Sequence, residues 1–195
     1  MEPRVGNVLR RLEEEDTLDR VDGTPRQLRL RAVTADVGQF LRLLVKLTEA
    51  RHIVEIGTSG GYSTIWLASA ARETGGQVTT LELDAAKIER ARQNFALAGV
   101  DDLVTIVEGD AHQTLGTLKG SFDLAFLDAE KEFYLDFLEP LVGLLRVGGV
   151  LVADNLLSHA EDLAPFREAA ESRADLECVL VPFPRGELMC VKRGA

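Results

Sequence analysis

The chain has 195 residues, 46% of them hydrophobic and 28% charged, with a formal net charge of −10. That length suits a single domain with a continuous core, and the composition excludes a disordered or collagen-like chain. No apolar run reaches the roughly 18 residues of a membrane span, the first residues lack the apolar stretch of a secretion signal, and two cysteines, Cys178 and Cys190, are too few for a disulfide scaffold. The expectation is a cytoplasmic protein whose two cysteines are buried thiols in the last strands.

Residues 4–16 and 35–49 read as helices. In the second, Val37, Phe40, Leu41, Leu44, Val45 and Thr48 recur at helical spacing, and Thr34 or Asp36 can cap its start. Val21-Asp22-Gly23-Thr24-Pro25 carries turn chemistry between them. From residue 52 strands and helices alternate. Strands are expected at 52–56, 77–83, 103–108, 122–127 and 148–153, with amphipathic segments at 61–74, 85–98, 111–118, 131–145 and 161–173. Such alternation implies βαβ units and a parallel sheet covered on both faces. Asp123-Leu124-Ala125-Phe126-Leu127 reads as a strand buried on both sides. The last two strands, 176–182 and 187–192, form a hairpin through Pro182-Phe183-Pro184-Arg185-Gly186, which puts an antiparallel strand at or near the sheet edge. The fold class is a doubly wound α/β sandwich in one domain, with 1–50 a helical N-terminal segment and 51–195 the α/β core.

Ligands of such folds bind at the carboxyl ends of the strands. The first end reads Glu55-Ile56-Gly57-Thr58-Ser59-Gly60-Gly61-Tyr62-Ser63, whose G-x-x-G-G spacing differs from the dinucleotide fingerprint. A carboxylate here repels a pyrophosphate but accepts hydrogen bonds from a cationic amine; it reads equally as a solvated strand end. Glu82 closes the second strand, where an acid can accept both hydroxyls of a ribose or serve, with Asp84, as a cap. Asp110 and Ala111 follow the third, and Asp110 can meet an adenine amino group or cap the next helix. Together these favour a nucleoside-containing cofactor.

The fourth and fifth strands end in Asp128-Ala129-Glu130-Lys131 and Asp154-Asn155. Adjacent parallel strands bring Asp128, Asp154 and Asn155 together as a hard oxygen set, suited to Mg²⁺, Mn²⁺ or Ca²⁺ rather than Zn²⁺. Spacing leaves open whether the two acids are ligands or helix caps. Lys131, one of only five lysines against 17 arginines, lies one turn after Asp128. A nearby cation would lower its pKa and make it a base; a plain salt bridge is the alternative. His52, His112 and Trp66 read as surface or core residues, with His159 close enough to the metal set to touch an acceptor.

These motifs, with Leu81-Glu82-Leu83-Asp84, Val147-Gly-Gly-Val-Leu-Val-Ala-Asp-Asn155 and the entry segment Thr34-Ala-Asp-Val-Gly-Gln-Phe-Leu41, resemble the cation-dependent O-methyltransferases, which include catechol and caffeoyl-CoA O-methyltransferases and small bacterial relatives. The resemblance runs from about residue 30 to the end. It implies a Rossmann-like, S-adenosylmethionine-dependent sandwich with a mostly parallel seven-stranded sheet. By position, Val33, Glu55, Gly57, Thr58, Ser63, Glu82, Asp110, Ala111 and Asp128 would hold S-adenosylmethionine, Asp128, Asp154 and Asn155 would hold Mg²⁺, and Lys131 would be the base beside Asp128. The chain departs from longer relatives after Asn155, where Leu156-Leu157-Ser158-His159 replaces a tryptophan-containing insertion. The expected activity is methyl transfer to a hydroxyl of a small catechol-like acceptor in a homodimer. Alternatives are a hydroxylated nucleoside of tRNA as acceptor, or a metal-independent small-molecule reaction. Nucleic acid is disfavoured by the net charge, since the seven arginines before residue 32 are matched by seven acids.

Overall fold

The computed structural model describes residues 1–194, apart from the side chain of Gln27. Two N-terminal helices, α1 (Pro3–Asp19) and α2 (Ala35–Leu47), precede β1 (His52–Ile56), α3 (Tyr62–Thr74), β2 (Gln77–Glu82), α4 (Ala85–Ala98), β3 (Val104–Glu108), α5 (Ala111–Thr114), β4 (Phe122–Leu127), α6 (Tyr134–Leu144), β5 (Leu145–Ala153), α7 (Ala160–Glu171), β6 (Leu176–Val181) and β7 (Glu187–Lys192). The seven strands form one sheet in the order β3-β2-β1-β4-β5-β7-β6. All pairings through β5 are parallel, and β7 runs antiparallel to both β5 and β6. The antiparallel strand therefore lies one place in from the edge.

Alternation along the strands divides the core in two. Ile53, Val78, Leu124, Phe126, Val150 and Val152 pack with α1 to α4 on one face. Val54, Ile56, Ala125, Leu127, Leu151 and Ala153 pack with α6 and α7 on the other. β4 is buried on both sides, as its continuous apolar run requires. Truncating Leu124 to Ala in such a position costs about 2–5 kcal/mol.

Local signals account for most element ends. Thr34, not Asp36, caps α2 by accepting from the Val37 amide, and Asp84 caps α4. The segment expected as helix 111–118 tightens into a 3-10 turn over Leu115–Thr117, and 131–145 begins as a 3-10 turn over Lys131–Phe133.

One expectation is overturned. Cys178 and Cys190 are not thiols but a disulfide, directly opposed across β6 and β7 with Cα atoms 4.0 Å apart. Pairing two cysteines depends on hairpin register, which brings them face to face although twelve residues separate them.

Candidate active site

The sheet registers align the strand ends in one row. Glu82 follows the Leu81–Ile56 pair and so lies beside Gly57. The Asp128 amide donates to the Ile56 carbonyl at 3.0 Å, and the Asp154 amide to that of Leu127 at 3.0 Å. Asp154 in turn follows Ala153, paired with Leu188, and so neighbours Glu187. Glu82, Gly57, Asp128, Asp154 and Glu187 thus run side by side across the molecule. Gly57 has φ +102° and its position is crowded: a Cβ there would lie 2.1 Å from the Asp128 carbonyl oxygen. Only glycine suits both demands.

A cleft of about 600 Å³ opens over this row. Its walls include Gly57, Thr58, Ser63, Glu82, Asp110, Ala111, Asp128, Lys131 and Asn155, with Val33 from the N-terminal segment. That segment is pinned from α1: Asp19 accepts from the Leu30 amide and Asp16 from the Ala32 amide, each at 3.0 Å. Ser59 adds a 2.7 Å bond to the Leu30 carbonyl.

At the β2 end, Glu82 accepts from the backbone amides of Ser59, Leu83 and Asp84 at 2.8–3.0 Å. Three amides fix its carboxylate, and one lone pair, on Oε2, remains open for a ribose hydroxyl. Asp110 caps α5 through the His112 amide and also meets the His112 ring. The hydrogen bond to Asp110, then that to Asp136, raises the His112 pKa.

Glu55 departs from its expected role. Alternation turns it toward the start of α3, outside the cleft walls and fully buried. Its carboxylate accepts from the hydroxyls of Ser63 (2.6 Å), Thr64 (2.5 Å) and Thr80 (2.6 Å). It braces the glycine turn from behind through these hydroxyls. Burial pushes its pKa up to about 7, against the lowering effect of the three hydroxyls. Ser63 reaches the cleft wall; its hydroxyl proton goes to Glu55, and its oxygen remains free to accept from a ligand.

At the β4 and β5 ends, Asp128 and Asp154 are not helix caps. Asp128 Oδ1 accepts from Lys131 Nζ at 2.9 Å and from Asn155 Nδ2 at 3.0 Å. Lys131 also donates to the Ala129 carbonyl (2.9 Å) and the Tyr134 hydroxyl (3.1 Å), so its three protons are all engaged. Asn155, at φ 75°, turns the chain so that its amide donates to Asp154 Oδ1 at 2.6 Å. Asp154 is fully buried, behind rather than in the cleft wall, and its Oδ2 has no partner. Among the described residues no three His, Cys, Asp or Glu side chains converge on one point. The oxygen set is two carboxylates and an amide, and the orphaned, buried Asp154 oxygen beside Asp128 fits a hard divalent cation.

Sequence reasoning missed three residues here. Glu187 is fully buried, and the carboxyl of Asp154 is the only polar group its own carboxyl meets among the described residues. Burial first, and the charge of Asp154 second, raise its pKa, so that it can carry the proton shared between the two acids; burial and the charge of Asp128 raise that of Asp154. Tyr134 donates to the Asp154 carbonyl at 3.1 Å, tying α6 to the end of β5. Arg185 lines the cleft from the hairpin tip. His159 also lines it, with Nδ1 3.2 Å from Asp162, whereas Trp66 packs in the core against Gly38.

The family model described as O-methyltransferase matches residues 13–185. The chain belongs to this family. Among its relatives, catechol O-methyltransferase of Mycobacterium tuberculosis is 45% identical over 139 residues, which is 71% of this chain and 63% of that protein. The chain thus spans less than two thirds of that curated relative's length. The O-methyltransferase TomG of Streptomyces achromogenes, solved with S-adenosylmethionine and involved in tomaymycin synthesis, superposes with a TM-score of 0.82 at 32% identity, covering 94% of this chain and 89% of that one. An O-methyltransferase of Bacillus cereus, solved with S-adenosylhomocysteine, gives 0.84 at 28% identity over 96% and 91%.

Proposed function

We propose that this chain is an S-adenosylmethionine-dependent, divalent-cation-dependent O-methyltransferase for a small catechol-like acceptor. The observation that carries this reading is the row Gly57–Asp128–Asp154, with Asn155 and Lys131 closing around its outer end. The cleft, at about 600 Å³, is within the usual size of small-molecule sites. Gly57, Thr58 and Val33 would line the methionine part of the donor, Glu82 the ribose, and Asp110 with Ala111 the adenine.

Asp128, Asp154 and Asn155 would hold the cation. Bound there, a divalent ion supplies Lewis-acid polarisation of two adjacent hydroxyl oxygens. As the neutral amine, with one proton first lost to solvent, Lys131 would take the proton from the reacting hydroxyl. The donor's sulfonium bond to the methyl group breaks as the new carbon–oxygen bond forms, and the electron pair stays on sulfur. The cleft wall contributes by holding the two reactants in line. The acidic balance, −10 overall, favours a small molecule over nucleic acid as acceptor. We also include a homodimer in the proposal, with a single domain per subunit; among the described residues no helix is long and apolar enough to cross a membrane.

The test is methyl transfer from S-adenosylmethionine to catechol with Mg²⁺ and with EDTA. Transfer that requires the metal supports the reading. Transfer insensitive to the chelator replaces it with a metal-independent reaction, and no transfer to catechol removes the acceptor class.

A further inference from the structure

Half of the six lysines and arginines that line the cleft are already neutralised by the protein itself. Arg20 pairs with Asp16, Arg31 with Glu130, and Lys131 with Asp128. Arg26 is exposed on the N-terminal segment, and Lys87, on α4, is half-buried and unpaired. Arg185 is set apart by its place at the hairpin tip. It is half-buried, it lines the cleft, its guanidinium makes no hydrogen bond or close ion pair with any described residue, and its charge is felt by Asp154 and Glu187 behind the cleft wall. A guanidinium cannot shed its proton. Taking one partly out of water without a partner is unfavourable unless something else supplies the partner.

The backbone holds this residue firmly. The Arg185 carbonyl accepts from the amides of Leu157 (2.7 Å) and Ser158 (3.0 Å), and that of Gly186 from Leu156 (2.9 Å). These bonds tie the hairpin tip to the loop that follows Asn155. Gly186, at φ +79°, packs so tightly on Leu157 that a Cβ would fall within 2.7 Å of its backbone nitrogen. Arg185 is therefore a fixed wall of the acceptor end, two residues from Glu187 and its neighbour Asp154. Lys131 and Arg185 there face Asp128 and Asp154, so a bound divalent cation would leave the surplus charge at this end positive.

Resting on the function proposed above, we propose that Arg185 is a specificity-determining residue that selects catechols carrying a carboxylate. The carboxylate of the acceptor would accept the guanidinium's paired hydrogen bonds while the two ring hydroxyls face Asp128 and Asn155.

The experiment compares three acceptors of one shape class: 3,4-dihydroxybenzoate (anionic), catechol (neutral) and dopamine (cationic). Each is titrated calorimetrically into the protein loaded with Mg²⁺ and S-adenosylhomocysteine, and each is assayed for kcat and KM. The expected result is a preference for dihydroxybenzoate over dopamine of at least about ten-fold, the size of one charge-assisted pair, expressed in KM and in affinity. Arg185→Gln abolishes the preference and Arg185→Glu inverts it, while S-adenosylhomocysteine affinity and Tm stay close to wild type. The proposal is overturned if wild type does not favour the anion, if the preference survives in Arg185→Gln, or if cofactor affinity falls in parallel, which would make Arg185 a donor contact. Binding that prefers dihydroxybenzoate through Arg185, without turnover of any acceptor, would uphold the anion site and refute the reaction.

Discussion

Lys131 and Asp128 form a 2.9 Å ion pair inside the cleft, and the same Asp128 oxygen also accepts from Asn155. A divalent cation and the Lys131 ammonium therefore compete for one carboxylate. Lys131→Met removes the competitor and the base at once. Mg²⁺ affinity measured calorimetrically is expected to rise several-fold, while kcat falls by about 100-fold or more, within the usual range for loss of a general base. Unchanged Mg²⁺ affinity would mean that Asp128 does not meet the metal.

Asp154→Ala deletes the buried oxygen that has no partner in the protein. Methyl transfer should fall by at least about 100-fold, a loss of roughly 3 kcal/mol of transition-state stabilisation. The affinity for S-adenosylhomocysteine should stay within about two-fold, since Asp154 lies outside the cleft wall. Calorimetry of the variant separates the two effects.

Gly57→Ala places a methyl group where the Asp128 carbonyl oxygen already sits, at a φ hostile to side chains. The strain and overpacking should cost about 2–4 kcal/mol in urea unfolding. S-adenosylhomocysteine affinity should drop as well, because Gly57 and Asp128 share that end of the cleft.

Glu55 makes stability depend on pH with a defined sign. Its folded pKa, about 7, exceeds the ordinary carboxylate value. The neutral form is thus favoured in the folded state, a contribution fully present below about pH 4 and lost as pH rises through 7. The size is on the order of 3 kcal/mol. Glu55→Gln should flatten this slope, so that the difference in unfolding free energy between wild type and variant shifts in the variant's favour from pH 5 to pH 8. Glu55→Ala, which strands three hydroxyls, should be destabilising throughout.

The Cys178–Cys190 bridge closes a short loop between neighbouring strands. Its loss should cost about 3 kcal/mol by chain entropy, or roughly 6–12 °C in Tm for a chain of this size. Thiol titration in denaturant without reductant should find no free thiol, and dithiothreitol should lower Tm by the stated amount.

Much of this was legible because parallel α/β sheets write their plan into alternating patterns. The strand ends at Gly57, Glu82, Asp128 and Asp154 could be placed once the strands were located. What escaped depended on pairing that the pattern does not carry. Glu187 looked like an ordinary hairpin residue until β7 was inserted beside β5, which buries it against Asp154. Glu55 read as a strand end open to a ligand, yet one step of alternation turns it under α3, where hydroxyls from Ser63, Thr64 and Thr80 surround it. The same blindness to register hid the disulfide, because two residues twelve apart meet only if the hairpin tip has the right length. The helix caps at Thr34, Asp84 and Asp110 were readable, since a cap is a local event.

The hairpin has a consequence for how this protein can diversify. Its base is stapled by the disulfide and by β7's pairing with β5, while its tip, residues 182–186, takes no part in the cofactor end of the cleft. On the function proposed above, part of the acceptor choice would rest on a stretch of chain separate from those that would hold the donor. Exchanging Pro182, Pro184 and Arg185, with Gly186 kept at its crowded turn and Phe183 kept against Phe40, should retune which molecule is methylated while donor affinity stays intact, which makes the tip a natural unit for directed evolution.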